Sequence, residues 1–205
     1  MGRFVSRGGE KLDGALRVLE LDVAGMRALD AGAATGGFTH CLLSRGVVSV
    51  VAVDVAYGQL AWELRTDPRV QVVERTNVRN LTAESVGGVV DLVVADLSFI
   101  SLAVVADALV SVAGEGGRLL VMVKPQFELP RARVPRGGVV RAPEDWSAAA
   151  RSVADAYRAR GCVLLGAAPS SLTGPKGNRE FFLLFGREGV DASDEVIDAA
   201  IEAAP

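Results

Sequence analysis

Asp30-Ala31-Gly32-Ala33-Ala34-Thr35-Gly36-Gly37-Phe38-Thr39 is the stretch on which the reading of the fold turns. A short strand expected over 27–30 leads into it, and a helix expected over 38–45 leads out, with Gly46 placed to stop that helix. A strand that runs into a glycine-rich loop and then a helix is the building unit of open α/β sheets. Such sheets bind ligands beyond the carboxyl ends of their strands.

Outward from the loop the same alternation continues. Upstream, 6–21 reads as an amphipathic helix with Leu12, Leu16 and Leu19 on one face. Downstream, strands are expected at 48–55, 70–74, 89–96, 118–123, 163–167 and 180–185. Helices are expected at 57–65, closed by Asp67-Pro68, and at 101–113 and 143–160. Near-continuous apolar strands alternating with helices imply a mostly parallel sheet covered on both faces. The last two strands are joined by 169–179, which has no helical pattern, so they should pair antiparallel at one edge. The expected architecture is a Rossmann-like α/β domain over 1–188. Its seven-stranded, mostly parallel sheet has one antiparallel edge strand and helices on both faces. The acidic, alanine-rich tail 189–205 is expected to be loosely attached or disordered.

Composition narrows the function. The net charge of −3 gives no global attraction to nucleic acid, so any RNA contact must be local. Two isolated cysteines and a single histidine, His40, exclude a disulfide scaffold and offer no zinc-type ligand set, so no metal is expected. No apolar run approaches a membrane span and the charged start is no signal peptide, so a cytoplasmic location is expected.

The loop itself discriminates between ligands. Gly32, Gly36 and Gly37 free the backbone to close on a ligand beside Ala33, Thr35, Phe38 and Thr39. A dinucleotide fingerprint needs glycine where Ala34 stands, and an acidic Asp30 two residues before the loop would repel a pyrophosphate. That carboxylate suits the amino group of a methionine moiety. Asp54, about 20 residues on, can receive the ribose hydroxyls of an adenosyl group. Together with Asn77 these residues point to S-adenosylmethionine.

At the ends of the fourth and fifth strands stand Asp96 and Lys124, with Glu180 opening the last strand and Lys11 on the first helix. Asp96-Leu97-Ser98-Phe99 lacks the two prolines usual in amino-group methyltransferases. Neither cysteine is placed for carbon-5 chemistry, and no carboxylate cluster suggests a metal-dependent oxygen methyltransferase. Only three of the 22 basic residues are lysine. A lysine kept against such an arginine background can mark a place where an amine must lose its proton. A hydroxyl acceptor needs a base or a cationic environment at its oxygen, which two lysines held by carboxylates could provide.

Several stretches resemble the TlyA family, itself similar to FtsJ-type ribose methyltransferases. They are Ser6-Arg7-Gly8-Gly9-Glu10-Lys11-Leu12, the loop above, Val53-Asp54-Val55-Ala56-Tyr57-Gly58-Gln59-Leu60, Ala95-Asp96-Leu97-Ser98-Phe99-Ile100-Ser101, Val123-Lys124-Pro125-Gln126-Phe127-Glu128, Gly137-Gly138-Val139-Val140-Arg141 and Gly177-Asn178-Arg179-Glu180-Phe181-Phe182. The resemblance implies methylation of cytidine 2′-hydroxyls in ribosomal RNA, with a Lys-Asp-Lys-Glu tetrad falling on Lys11, Asp96, Lys124 and Glu180. That family normally carries a small N-terminal RNA-binding domain, whereas this chain begins almost at the methyltransferase. Ribosomal RNA or ribosomal subunits would then be met through Arg131, Arg133, Arg136, Arg141, Lys176 and Arg179, with Phe127 and Trp146 as core residues or base-stacking groups. Three other readings remain at this point. They are a methyltransferase for a small hydroxylated molecule, a cofactor-binding protein with little activity, and a membrane-active haemolysin.

Overall fold

A computed structural model describes residues 2–204. Met1 and Pro205, the outer ends of the two expected segments, lie outside the described residues. Strand β1 (Arg27–Ala31) is flanked by β2 (Ser49–Val53) and β4 (Val90–Ala95), both parallel to it. β3 (Val70–Val73) lies beyond β2, and β5 (Ala113–Val123) lies beyond β4. The sheet has seven strands in the order β3-β2-β1-β4-β5-β7-β6. Strand β7 (Phe181–Gly186) runs antiparallel to both β5 and β6 (Val163–Pro169). The antiparallel pairing expected at the edge is therefore present, and the reversed strand sits one place in from it.

Alternate residues feed two cores, as the two-residue period of a strand requires. Leu29, Val51, Val93, Leu119 and Phe185 face α4 (Leu102–Val112), α6 (Pro143–Arg158) and α7 (Glu195–Glu202). Ala28, Val50, Leu92, Leu120 and Phe182 face α1 (Arg7–Val18) and α2 (Gly37–Ser44). The leucines of α1 behave as read: Leu12 and Leu16 are buried, and Leu19 packs against their core.

Two expectations need correction. The helix expected over 57–65 forms only as α3 (Trp62–Arg65). Gly58 takes φ +73°, outside the helical range, and gives its N–H to Glu74 Oε1 at 2.8 Å. Ala61 N–H is drawn to Thr35 O, so the segment lies against the glycine loop. The tail is also not loosely attached. α7 is tied down by Arg151, which bonds Asp194 and Asp198, and by Arg158, which bonds Asp191 and Asp194. Asp191 Oδ1 accepts Leu164 N–H at 2.7 Å, and Ile197 is only 1% exposed in the core. Ile197→Ala should accordingly cost about 2–4 kcal/mol in denaturant unfolding, the range for truncating a buried isoleucine. A cost below about 0.5 kcal/mol would mean that the tail is peripheral.

No helix among the described residues is long and apolar enough to cross a membrane.

Candidate active site

Because β1, β2, β4 and β5 are parallel, their carboxyl ends share one rim of the sheet, and this rim carries Gly32, Asp54, Asp96 and Lys124. β7 runs the other way, so its starting end lies on the same rim, with Phe181 opposite Val123. That reversal is why Glu180, just before β7, joins residues that follow the other strands. The chain order turns back between β1 and β4, the crevice where open sheets take ligands.

Two ion pairs meet there. Lys11 Nζ, from α1, lies 2.5 Å from Glu180 Oε2, and both residues are buried. Lys124 Nζ lies 2.5 Å from Asp96 Oδ1, as an ion pair rather than an aligned hydrogen bond, and donates to Ser98 Oγ at 3.0 Å. All four tetrad residues line one cavity of about 510 Å³, together with Gly32, Ala33, Thr35, Gly37 and Phe38. An adjoining cavity of about 590 Å³ holds Asp54 and Asn77, and it shares Gly32, Ala34, Asp96 and Ser98 with the first. A third, of about 620 Å³, continues past Ser98 and Lys124 to Phe99, Phe127, Arg131 and Lys176. The three form one trough with Asp96, Ser98 and Lys124 at its middle.

The loop is held tightly. Gly32 and Ala33 give their N–H groups to Val53 O at 2.9 and 3.0 Å, and Asp96 N–H bonds Ala31 O at 3.0 Å. Gly32 has φ +85°, and a Cβ on it would stand 2.6 Å from Asp96 O. Gly37 serves a different need: a Cβ there would strike Ser6 Oγ and come 2.8 Å from Gly9 N, so it lets α2 start against α1, which carries Lys11. Asp54 receives Ala34 N–H on Oδ2 and Ala56 N–H on Oδ1, each at 2.8 Å. A carboxylate has about four acceptor positions, so both oxygens keep capacity for a diol. Asn77 Oδ1 accepts Arg79 N–H at 3.0 Å, fixing the turn that walls the same cavity.

Asp30, Gly36 and Thr39 are placed elsewhere than expected. They sit behind the loop rather than on the wall of the trough: Asp30 and Thr39 are fully buried, and Gly36 packs against Leu60 and Leu64. Asp30 Oδ2 accepts both Thr39 N–H (2.9 Å) and Thr39 Oγ1–H (2.7 Å), so it ties the helix start to β1. Its other oxygen, Oδ1, is buried without a protein partner. Burial, reinforced by the nearby Asp96 and Asp54 carboxylates, raises its pKa to about 7 against the bonds from Thr39. Between pH of about 4 and 7 the folded protein thus keeps a proton that the unfolded chain has released. The stabilisation is full below that window and lost as pH rises through it. Wild-type stability relative to Asp30→Asn should fall by on the order of 2 kcal/mol from pH 5 to pH 8. Parallel pH curves for the two proteins in denaturant titrations would refute the shift.

The basic residues divide. Arg131 and Lys176 line the third cavity, and Arg136 lines a smaller one beside it. Arg141 is exposed, Arg133 pairs with Asp145, and Arg179 lies over the Trp146 ring at 5.5 Å. Arg133 and Arg179 are thus engaged within the protein. Trp146 is a core residue, donating Nε1–H to Val140 O at 3.0 Å and packing on Phe181.

Two groups were missed by the sequence reading. Ser98 lines all three cavities and holds Lys124. Phe99, 90% exposed with φ +65°, stands 5.1 Å from the Phe127 ring. An aromatic directly after a serine that follows a strand-end carboxylate was the available signal. An unfavourable backbone angle on a solvent-facing phenylalanine is a feature of sites rather than of packing.

The donor set fits an adenosyl amino acid: a carboxylate for a diol, a close-approach loop at the crevice, and two cations in the adjoining cavity. Comparison with known proteins agrees. The FtsJ-like methyltransferase family matches residues 4–187. The chain is 55% identical over 180 residues to the 16S/23S rRNA (cytidine-2'-O)-methyltransferase TlyA of Mycobacterium tuberculosis, covering 88% of this chain and 67% of that protein. Two solved structures of candidate hemolysins superpose with a TM-score of 0.91. One is from Lactococcus lactis (33% identical, 98% of each chain) and one from Streptococcus thermophilus (36% identical, 98% of this chain and 76% of that one). The chain belongs to the FtsJ-like methyltransferases, enzymes whose methyl donor is S-adenosylmethionine.

Proposed function

We propose that this chain transfers a methyl group to the 2′-hydroxyl of a cytidine ribose in ribosomal RNA, in the cytoplasm. The observation that carries this reading is two ion pairs, the buried Lys11–Glu180 and the part-buried Lys124–Asp96, facing one cavity with the glycine loop. A ribose hydroxyl is a weak acid and a weak nucleophile, and it needs both a proton acceptor and positive charge beside its oxygen.

Asp54 and Asn77 would hold the adenosyl end, and Gly32, Ala33, Thr35, Gly37 and Phe38 the amino-acid end. Asp30 and Thr39 would support the loop from behind. When bound, S-adenosylmethionine supplies an electrophilic methyl group on a sulfonium. Lys124, whose Nζ is pointed by Asp96 and Ser98, is the group placed to take the hydroxyl proton. Lys11, braced by Glu180, balances the negative charge that grows on the oxygen. Arg131, Arg136 and Lys176 would meet phosphates, with Arg141 further out, and the exposed Phe99 offers a ring on which an unstacked base can lie. The names of the relatives add ribosomal RNA and cytidine to this chemistry.

Incubation with tritiated S-adenosylmethionine and ribosomal subunits should place label on the RNA. Label that stays off RNA while ribosomal protein or a small hydroxylated molecule takes it up would overturn the substrate assignment.

A further inference from the structure

Two carboxamides line the cavity beyond Lys124, and they differ in one respect. Both polar atoms of Asn178 have partners: Nδ2 donates to Gly138 O at 2.8 Å, and Oδ1 accepts Val140 N–H at 2.9 Å. It therefore shapes the 138–140 turn. Gln126 also lines the cavity, yet its Oε1 is buried with no partner in the protein. Leaving such an oxygen unbonded costs on the order of 1–3 kcal/mol, so it calls for a partner.

Its position suggests that partner. Gln126 follows Lys124 by two residues on the short helix α5 (Pro125–Glu128) and lies in the same cavity as Phe99, Phe127 and Glu180. A ribose at Lys124 with its base against Phe99 would occupy the cavity that this carboxamide lines. Glutamine and glutamate oxygens accept from exocyclic amines of bases, and a side-chain amide can also donate to a neighbouring ring nitrogen. We propose that Gln126 is the residue that reads the base of the acceptor nucleotide, its Oε1 accepting from the 4-amino group of cytosine. The proposal rests on the cytidine reading above.

The test is a cycle between the protein and the substrate. Ribosomal RNA is assembled by ligation with either cytidine or its 4-deamino analogue, pyrimidin-2-one riboside, at the methylated position, and kcat/KM is measured for wild type, Gln126→Leu and Gln126→Glu. Wild type should lose about tenfold or more on the analogue. Gln126→Leu should work at that lower rate on both RNAs, and Gln126→Glu, which keeps an acceptor, should retain a preference for cytidine. Calorimetric affinity for S-adenosylmethionine should be unchanged in both variants, which separates base reading from a general disturbance of the site. If Gln126→Leu discriminates between the two RNAs as strongly as wild type does, the proposal fails while the cytidine reading stands. If wild type methylates no cytidine, the reading fails and takes the proposal with it.

Discussion

Lys124→Met is expected to lower kcat for methyl transfer by about 10²–10⁴-fold, the range for losing a positioned proton acceptor. Affinity for S-adenosylmethionine should stay within about threefold, because Lys124 meets the acceptor side of the trough. Methionine keeps the length and apolar stem of the side chain and removes only the amine. Asp96 then loses its ion-pair partner and Ser98 its donor, so the rim keeps its shape and loses one charge. Lys124→Arg separates two roles of the amine, since arginine restores positive charge but cannot act as a base near neutral pH. If Lys124 takes the proton, the arginine variant remains as slow as the methionine variant. If it recovers most of the activity, Lys124 acts through charge alone. Single-turnover transfer together with calorimetry reads both effects, and a methionine variant within threefold of wild-type kcat would remove Lys124 from the chemistry.

Gly32→Ala should weaken S-adenosylmethionine binding by at least about 100-fold and cost roughly 2–4 kcal/mol of stability. Two separate constraints act at this residue. Its φ of +85° is one that alanine adopts only with strain, and the added methyl would meet Asp96 O at 2.6 Å and Leu97 Cδ2 at 3.1 Å. The carbonyl cannot simply move away. Asp96 is anchored through its N–H to Ala31 O, and Gly32 through its own N–H to Val53 O. Relief would have to spread across β1, β2 and β4, the strands that form the crevice. Calorimetry and denaturant unfolding would show both losses. A Gly32→Ala protein with wild-type affinity would mean that the loop is not the cofactor's cradle.

Much of this architecture is legible in the order of the residues. The strands are buried on both faces, so their apolar runs stand out, and a residue just past the end of such a run must lie on the rim. That logic finds Asp54, Asp96 and Lys124. Glu180 is also within its reach, because a loop without a helix before the last strand implies reversal, and reversal puts the strand's beginning on the functional side. What escapes it depends on contacts distant in sequence. Nothing local distinguishes Asp30 facing a ligand from Asp30 tying down Thr39. The segment 57–61 has helical composition, but its backbone donors go to Glu74 and Thr35 instead. The tail is acidic because Arg151 and Arg158 wait for it on α6, a match visible only once the helices are packed. Phe99 carries only a weak mark in the sequence, its place after Asp96 and Ser98, and its exposure and backbone angle are what set it apart.

The central claim concerns one atom, the oxygen that receives the methyl group. The most direct measurement is digestion of ribosomal RNA labelled by this chain to nucleosides, followed by chromatography with mass spectrometry. The account predicts that the label is in cytidine with its extra methyl on the ribose, lost with the sugar when the glycosidic bond is cut. Label that remains with the base, or is found in a nucleoside other than cytidine, would contradict it.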